Sequence, residues 1–214
     1  MASEQYHKIE TVFKRDPATK FRTLLMGQYA TPEFAYLADN EWEFTEKVDG
    51  TNIRVSVDKG RMVIQGRTDN ASIPTFLLTS IVFTEIITAE RILSLFDGPL
   101  GDFCLYGEGY GAKIQKGGCN YKSDGVSFVL FDVKVDGWWL KREDVEGIAA
   151  KLGIATVPFI GEGNLTSMVH LAENGFNSCW GDFAAEGIVA RPKIELKARS
   201  GKRIITKIKT RDFA

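Results

Sequence analysis

The segment Glu46-Lys47-Val48-Asp49-Gly50-Thr51-Asn52 constrains this chain more than any other. Trp42 to Lys47 alternates large and polar residues, and Ile53 to Val57 alternates again, so the sequence predicts strand, turn, strand. Asp49-Gly50 supplies the turn, because glycine accepts positive φ at no steric cost and aspartate bonds to the backbone beyond it. A lysine at the end of the first strand is then presented from rigid flanks. Alone, it reads as an exposed hairpin lysine: with an ordinary pKa of about 10.4, a solvated ammonium is a poor nucleophile.

Further clusters downstream change that reading. Gly66-Arg67-Thr68 follows a short strand, Met62 to Gln65, and offers a guanidinium to a phosphate or carboxylate. Leu105-Tyr106-Gly107-Glu108 ends an apolar strand on a carboxylate, with Gly109 and Gly111 allowing close backbone approach. Ser127 to Val133 is a nearly continuous apolar run ending in Phe131-Asp132, a buried strand that could offer one aromatic face to a base. Ala185-Glu186-Gly187-Ile188-Val189-Ala190-Arg191 again sets a carboxylate beside glycine at a strand edge. In Arg203 to Lys209 the spacing predicts a strand with Lys207 and Lys209 on one face and Ile208 on the other.

In this order and spacing the clusters resemble the covalent nucleotidyltransferase superfamily of DNA ligases, RNA ligases and messenger-RNA capping enzymes. Lys47-Val48-Asp49-Gly50 is similar to its first motif, Tyr106-Gly107-Glu108 to its third and Phe128 to Val133 to the aromatic strand that follows. Glu186-Gly187-Ile188-Val189 resembles the fourth motif and Lys207-Ile208-Lys209 the fifth. Within the superfamily the chain looks most like the bacteriophage-type RNA ligase 2 family: Asn52 stands where DNA ligases and capping enzymes usually place arginine. Ile114-Gln115-Lys116 and the opening Tyr6-His7-Lys8-Ile9-Glu10 are also similar to that family. Asp49 departs from the histidine that some members carry.

The resemblance implies an α+β fold, an ATP-grasp-like nucleotidyltransferase domain of antiparallel sheets flanked by helices, with residues 1–214 as one domain. It implies an ATP-dependent RNA ligase. Lys47 would attack the α-phosphorus of ATP and carry AMP as a phosphoramide; AMP would pass to an RNA 5′-phosphate, and a 3′-hydroxyl would displace it. The attacking amine must be neutral, so burial and nearby cations, Lys207 and Lys209 among them, are expected to disfavour the ammonium at Lys47. The two later lysines would also neutralise the triphosphate. Glu186 and Glu108 are the candidate ligands of Mg²⁺, with Mn²⁺ as a substitute. Phe131 would stack on adenine, with Phe128 on the opposite strand face. Glu108 has the ribose hydroxyls as its other partner, Arg67 and Asn52 the AMP phosphate or the RNA end, and Glu46 a place near the base. Two alternatives stay open: a DNA ligase or capping guanylyltransferase, and a non-catalytic nucleic-acid-binding relic of the fold.

Composition narrows the setting. Hydrophobic content of 44 % and charge of 26 % are ordinary for a globular protein, and no apolar run approaches the roughly 20 residues that span a bilayer. Cys104, Cys119 and Cys179 are odd in number without a C-x-x-C pair, which suits reduced thiols and predicts a cytoplasmic protein, in the host cytoplasm if viral. The net charge of −1 hides nine Lys/Arg against two acids in residues 191–214, a basic stretch suited to a phosphate-rich partner. Lys209 lies close to Ala214, so the further RNA-engaging domain usual in RNA ligase 2 enzymes is expected to be absent, removed or supplied by a partner protein; RNA repair is one setting.

Patterning also predicts helices over Thr75 to Phe96, Arg142 to Leu152 and Leu165 to Asn174, the last two ended by Gly153 and Gly175. Asp136-Gly137 reads as a turn before Trp138-Trp139, which are expected to pack rather than to stack on bases. Gly107 to Gly118 lacks the ending of a P-loop.

Overall fold

The computed structural model describes residues 4–58, 60–83, 87–96 and 101–213. In chain order its strands are β1 (Glu10–Thr11), β2 (Phe13–Arg15), β3 (Leu24–Tyr29), β4 (Trp42–Glu46), β5 (Thr51–Asp58), β6 (Arg61–Gly66), β7 (Phe103–Gly111), β8 (Val126–Val135), β9 (Trp138–Trp139), β10 (Ala155–Thr156), β11 (Phe159–Gly163), β12 (Gly187–Pro192) and β13 (Thr206–Lys209). The α-helices are α1 (Pro32–Tyr36), α2 (Thr75–Phe83), α3 (Ala89–Leu93), α4 (Gly118–Tyr121), α5 (Arg142–Leu152) and α6 (Leu165–Asn174). This is the α+β class of mostly antiparallel sheets with flanking helices that the sequence predicts.

The fold divides into two compact units, one formed by the residues up to His7 with Asp49–Val157, the other by Lys8–Val48 with Pro158–Ala214. In the second unit the sheet order is β1-β13-β12-β4-β11, antiparallel except for the parallel pair β1 and β13. Its apolar face carries Trp42, Phe44, Ile188, Ala190 and Ile208, covered by Leu165, Met168 and Val169 of α6 and by Phe34. The strand alternation puts the intervening residues on the other face: Thr45, Val189, Lys207 and Lys209 are only partly buried, whereas Ile208 is fully buried. The predicted two-sided character of β13 is therefore present.

In the first unit the order is β10-β8-β7-β5-β6, with β9 added to β8. Ile53, Val55, Leu105, Leu130 and Val133 face one apolar cluster, joined by Leu77 and Ile81 of α2 and Val145 and Ala149 of α5. A register shift in β8 opposite Tyr106 and Gly107 leaves Phe131 as the extra, bulged residue.

Two local expectations are corrected. The strands either side of Asp49-Gly50 do not form a hairpin: β4 pairs with β11 and β12, while β5 pairs with β6 and β7 in a different sheet. The sequence shows the turn but not the exchange of partners. The helix predicted over Thr75 to Phe96 is two helices, with 84–86 outside the described residues. Thr88 starts the second: its backbone is extended and its side chain accepts from the Arg91 N–H, an N-cap that an apolar-rich stretch obscures. Arg142–Leu152 and Leu165–Asn174 are helical as predicted, each capped by glycine.

Gly187 marks where the sheet of the second unit is tightest. A Cβ there would lie 2.2 Å from the Ile208 carbonyl oxygen and 2.7 Å from Lys209 Cα. Both are backbone atoms, so β12 and β13 would have to separate. Gly187→Ala should destabilise the protein by about 1–3 kcal/mol, the usual cost of overpacking. Equilibrium urea unfolding would show it as a lower midpoint at unchanged slope.

Candidate active site

Three neighbouring strands bring the lysines together. Glu46 pairs with Ile188, and the ladder continues through the Lys47 N–H, which donates to the Gly187 carbonyl at 2.9 Å. Gly187 in turn pairs with Lys209, and Val189 with Lys207. Lys47, Gly187 and Lys209 thus lie side by side across the sheet, on the face opposite Ile208. Glu186 precedes Gly187 and reaches both flanks. One carboxylate oxygen lies 2.6 Å from Lys47 Nζ, the other 2.6 Å from Lys209 Nζ. All three side chains are largely buried, at 19 %, 10 % and 17 % exposure, so these pairs are shielded more than surface ion pairs are.

Lys207 completes the cluster. Burial disfavours its ammonium first, and the charges of Lys47 and Lys209 add to that, against opposite pulls from Glu186 and Glu10. Its affinity for a proton is lowered from the ordinary value of 10.5. Four titratable groups here share a small space, and an anion brought to it would relieve the excess positive charge.

Glu46 occupies the reverse face. It is 1 % exposed, and its carboxylate accepts from Ser178 Oγ at 2.6 Å and from the Cys179 N–H at 2.8 Å. Both oxygens are thus engaged in fixing the 177–184 loop, which rejoins β12. Burial, and then the Glu46 carboxylate, push the Cys179 thiol up. The sequence singles out Glu46 but gives no sign of Ser178 as its partner.

In the first unit two of the predicted residues, Asn52 and Glu108, share one face of the sheet. Asn52 pairs with Glu108 across β5 and β7, and Arg54 with Tyr106. Asn52 Oδ1 is buried without a hydrogen-bond partner among the described residues, the state of an acceptor awaiting a donor. Gly50 is required by close approach, because a Cβ there would meet the Gly109 oxygen at 2.3 Å and Glu108 Cγ at 2.7 Å. Phe131, half-buried at the bulge, packs against the edge of Tyr6. Phe128 lies in the apolar cluster, its ring over Gly107. Of the two adjacent tryptophans, Trp139 packs with Tyr6 and Tyr106, while Trp138 is 73 % exposed.

Arg54 is a residue that sequence reasoning missed. Fully buried, it donates to the Gly66 carbonyl and to Asp69, both at 2.7 Å. It thereby fixes the turn that carries the exposed Arg67. The sequence signal was slight, because Arg54 occupies a polar position of the alternating stretch Ile53 to Val57. Among the described residues no group of three or more His, Cys, Asp or Glu side chains is placed to hold a metal ion.

The strained cation gives a test. With its pKa lowered on folding, Lys207 binds its proton more weakly in the native than in the unfolded chain. The resulting penalty is full below the native value and fades as pH rises towards 10.5. Lys207→Met keeps the unbranched stem and removes the charge. It should raise the melting temperature at neutral pH, because the penalty of burying the ammonium among like charges is lost. Calorimetry across pH should show the advantage shrinking in alkali.

The fold resembles solved RNA ligases. Naegleria gruberi RNA ligase, in a lysine-to-alanine variant with ATP and Mn, superposes with a TM-score of 0.69 at 18 % identity, covering 97 % of this chain and 56 % of that one. The same ligase with PPi gives 0.65 at 18 % identity, covering 97 % and 59 %; a lysine-to-methionine variant with AMP and Mn gives 0.64 at 17 %, again covering 97 % and 59 %. The chain therefore spans somewhat over half the length of these proteins. No curated protein matches it. The family description "RNA ligase" matches residues 40–209, which contain every strand of both large sheets except β1. The chain belongs to the RNA ligase family.

Proposed function

We infer that the protein is an ATP-dependent RNA ligase that works through a lysyl-adenylate. The observation that carries this reading is the sharing of Glu186 between Lys47 and Lys209, with Lys207 alongside. A structural ion pair needs one lysine. Three lysines around one carboxylate form a place that lacks negative charge, which a triphosphate supplies.

In the first step Lys47 Nζ would form a bond to the α-phosphorus as the bond to the pyrophosphate oxygen breaks. Held at 2.6 Å by Glu186, Lys47 is an ion-pair partner and not yet a nucleophile. Glu186 would have to exchange partners, and the lysine lose its proton, before attack. Lys207 and Lys209 would stabilise the charge on the departing pyrophosphate. AMP would then pass to an RNA 5′-phosphate, and a 3′-hydroxyl would displace it to leave a phosphodiester. In the first unit Phe131 would take the base, Glu108 the ribose, and Asn52 and Arg67 a phosphate. Glu46 would act by holding the 177–184 loop.

The residues do not form a dedicated metal cage. They fit a divalent ion held mainly by triphosphate oxygens and water, with Glu186 or Glu108 as the protein ligand, which is how Mg²⁺ is commonly bound. Such an ion would neutralise phosphate charge during transfer. The reduced state of Cys104, Cys119 and Cys179 suits a cytoplasmic setting.

Intact mass after mixing with ATP and Mg²⁺ should show an adduct of one AMP, which GTP and NAD do not give. Lys47→Ala should abolish it, and an adduct surviving in that variant would exclude the assignment. Lys209→Ala should slow adenylylation by a factor of about 10²–10³, the effect of losing one transition-state contact. Sealing of a pre-adenylylated strand should suffer less; equal losses in the two assays would contradict this role.

A further inference from the structure

Within the second unit a cleft of ≈ 880 Å³ leads away from Lys207 and Lys209. Seven cationic side chains line it against two carboxylates, Glu10 and Asp212. Asp212 is already paired with Arg15 at 2.8 Å and Glu10 with Lys8 at 3.3 Å. Lys14, Arg22 and Arg211 are exposed and have no carboxylate partner among the described residues. The cleft is too large for a pyrophosphate alone, and its charge continues well beyond the two lysines.

Its rim carries a second, independent feature. Lys20 and Phe21 are consecutive residues with φ of 55° and 60°, a left-handed conformation that bulky side chains rarely adopt. It holds Phe21 62 % exposed at the cleft. Burial of the ring does not account for this strain. The turn is nonetheless firmly built: the Phe21 N–H donates to the Asp16 carbonyl at 2.9 Å, and Arg15 donates to the carbonyls of Phe21 and Arg22. Through Asp212, Arg15 ties the same turn to the segment just after β13. A cationic groove with an aromatic ring fixed at its rim is the combination that binds single-stranded nucleic acid, phosphates on the cations and a base on the ring.

We propose that this cleft binds a single-stranded RNA segment next to the reacting end, with its phosphates on Lys14, Arg22 and Arg211 and one base stacked on Phe21. The proposal rests on the RNA ligase reading for the identity of the strand. It adds a binding surface outside the Lys47 cluster.

The test is fluorescence anisotropy with an end-labelled single-stranded oligoribonucleotide over a range of KCl concentrations. Replacing Lys14, Arg22 and Arg211 together by alanine should weaken binding at least tenfold. It should also flatten the salt dependence by about two in log–log slope, as loss of three phosphate contacts predicts. Phe21→Ala should weaken binding about tenfold at unchanged slope, as loss of one stacked base does. Photocrosslinking of 5-iodouridine RNA to the wild type should yield a peptide containing Phe21, which keeps the test decisive should the triple variant fold poorly. Affinity and slope unchanged in the variants would overturn the proposal. So would cation dependence without any effect of Phe21, because the cleft would then recognise phosphate alone. Adenylylation of the wild type separates the two readings: an AMP adduct with unaffected RNA binding sinks only the cleft, whereas variant-sensitive RNA binding without an adduct sinks only the ligase chemistry.

Discussion

One carboxylate holds the chemistry of this protein in place. Glu186 stands at the start of β12, where the tight Gly187 lets β4 and β13 close in on either side, and each of its oxygens carries a lysine. A charge-assisted hydrogen bond contributes about 1.5–3 kcal/mol, and leaving one buried charge unpaired costs more than that. Glu186 therefore determines where both amines sit. The same arrangement leaves Lys207 in excess, its ammonium disfavoured by burial and by its neighbours. A site balanced for one anion and supplied with three cations is prepared for a second anion.

The sheet architecture explains why those side chains can meet. Strand alternation sends Trp42, Phe44, Ile188 and Ile208 into one core and Lys47, Lys207 and Lys209 to the other face. The core side fixes the strands, and strands so fixed present the lysines with little freedom. Glu46 works from beneath, anchoring the 177–184 loop that leads into Glu186. In the first unit Arg54 does comparable work for Arg67, gripping the turn on both sides of it.

Much of this was legible in the residues because alternation is a local signal. The strands around Lys47, the two-sided β13 and the glycine-capped helices could all be read from periodicity. What stayed hidden depends on partners distant in sequence. The exchange of sheets after Lys47 leaves no local mark, since β4 and β5 look like two arms of a hairpin. Thr88 could not be recognised as a helix start without knowing that the preceding stretch stops. The roles of Glu46 and Arg54 stayed hidden because a charged residue in a strand looks solvent-facing until its partners, Ser178 and Asp69, are located.

The pairing of β1 with β13 joins residues 196 positions apart, and Lys47 meets Glu186 across 139. Contacts between such remote stretches form slowly, because chain entropy must be lost before any of them is rewarded. The lysine cluster is therefore completed only when sequence-distant strands have paired. A partly folded chain would carry Lys47 without the neighbours that restrain it. The shared ion pairs thus arrive only with the finished sheet.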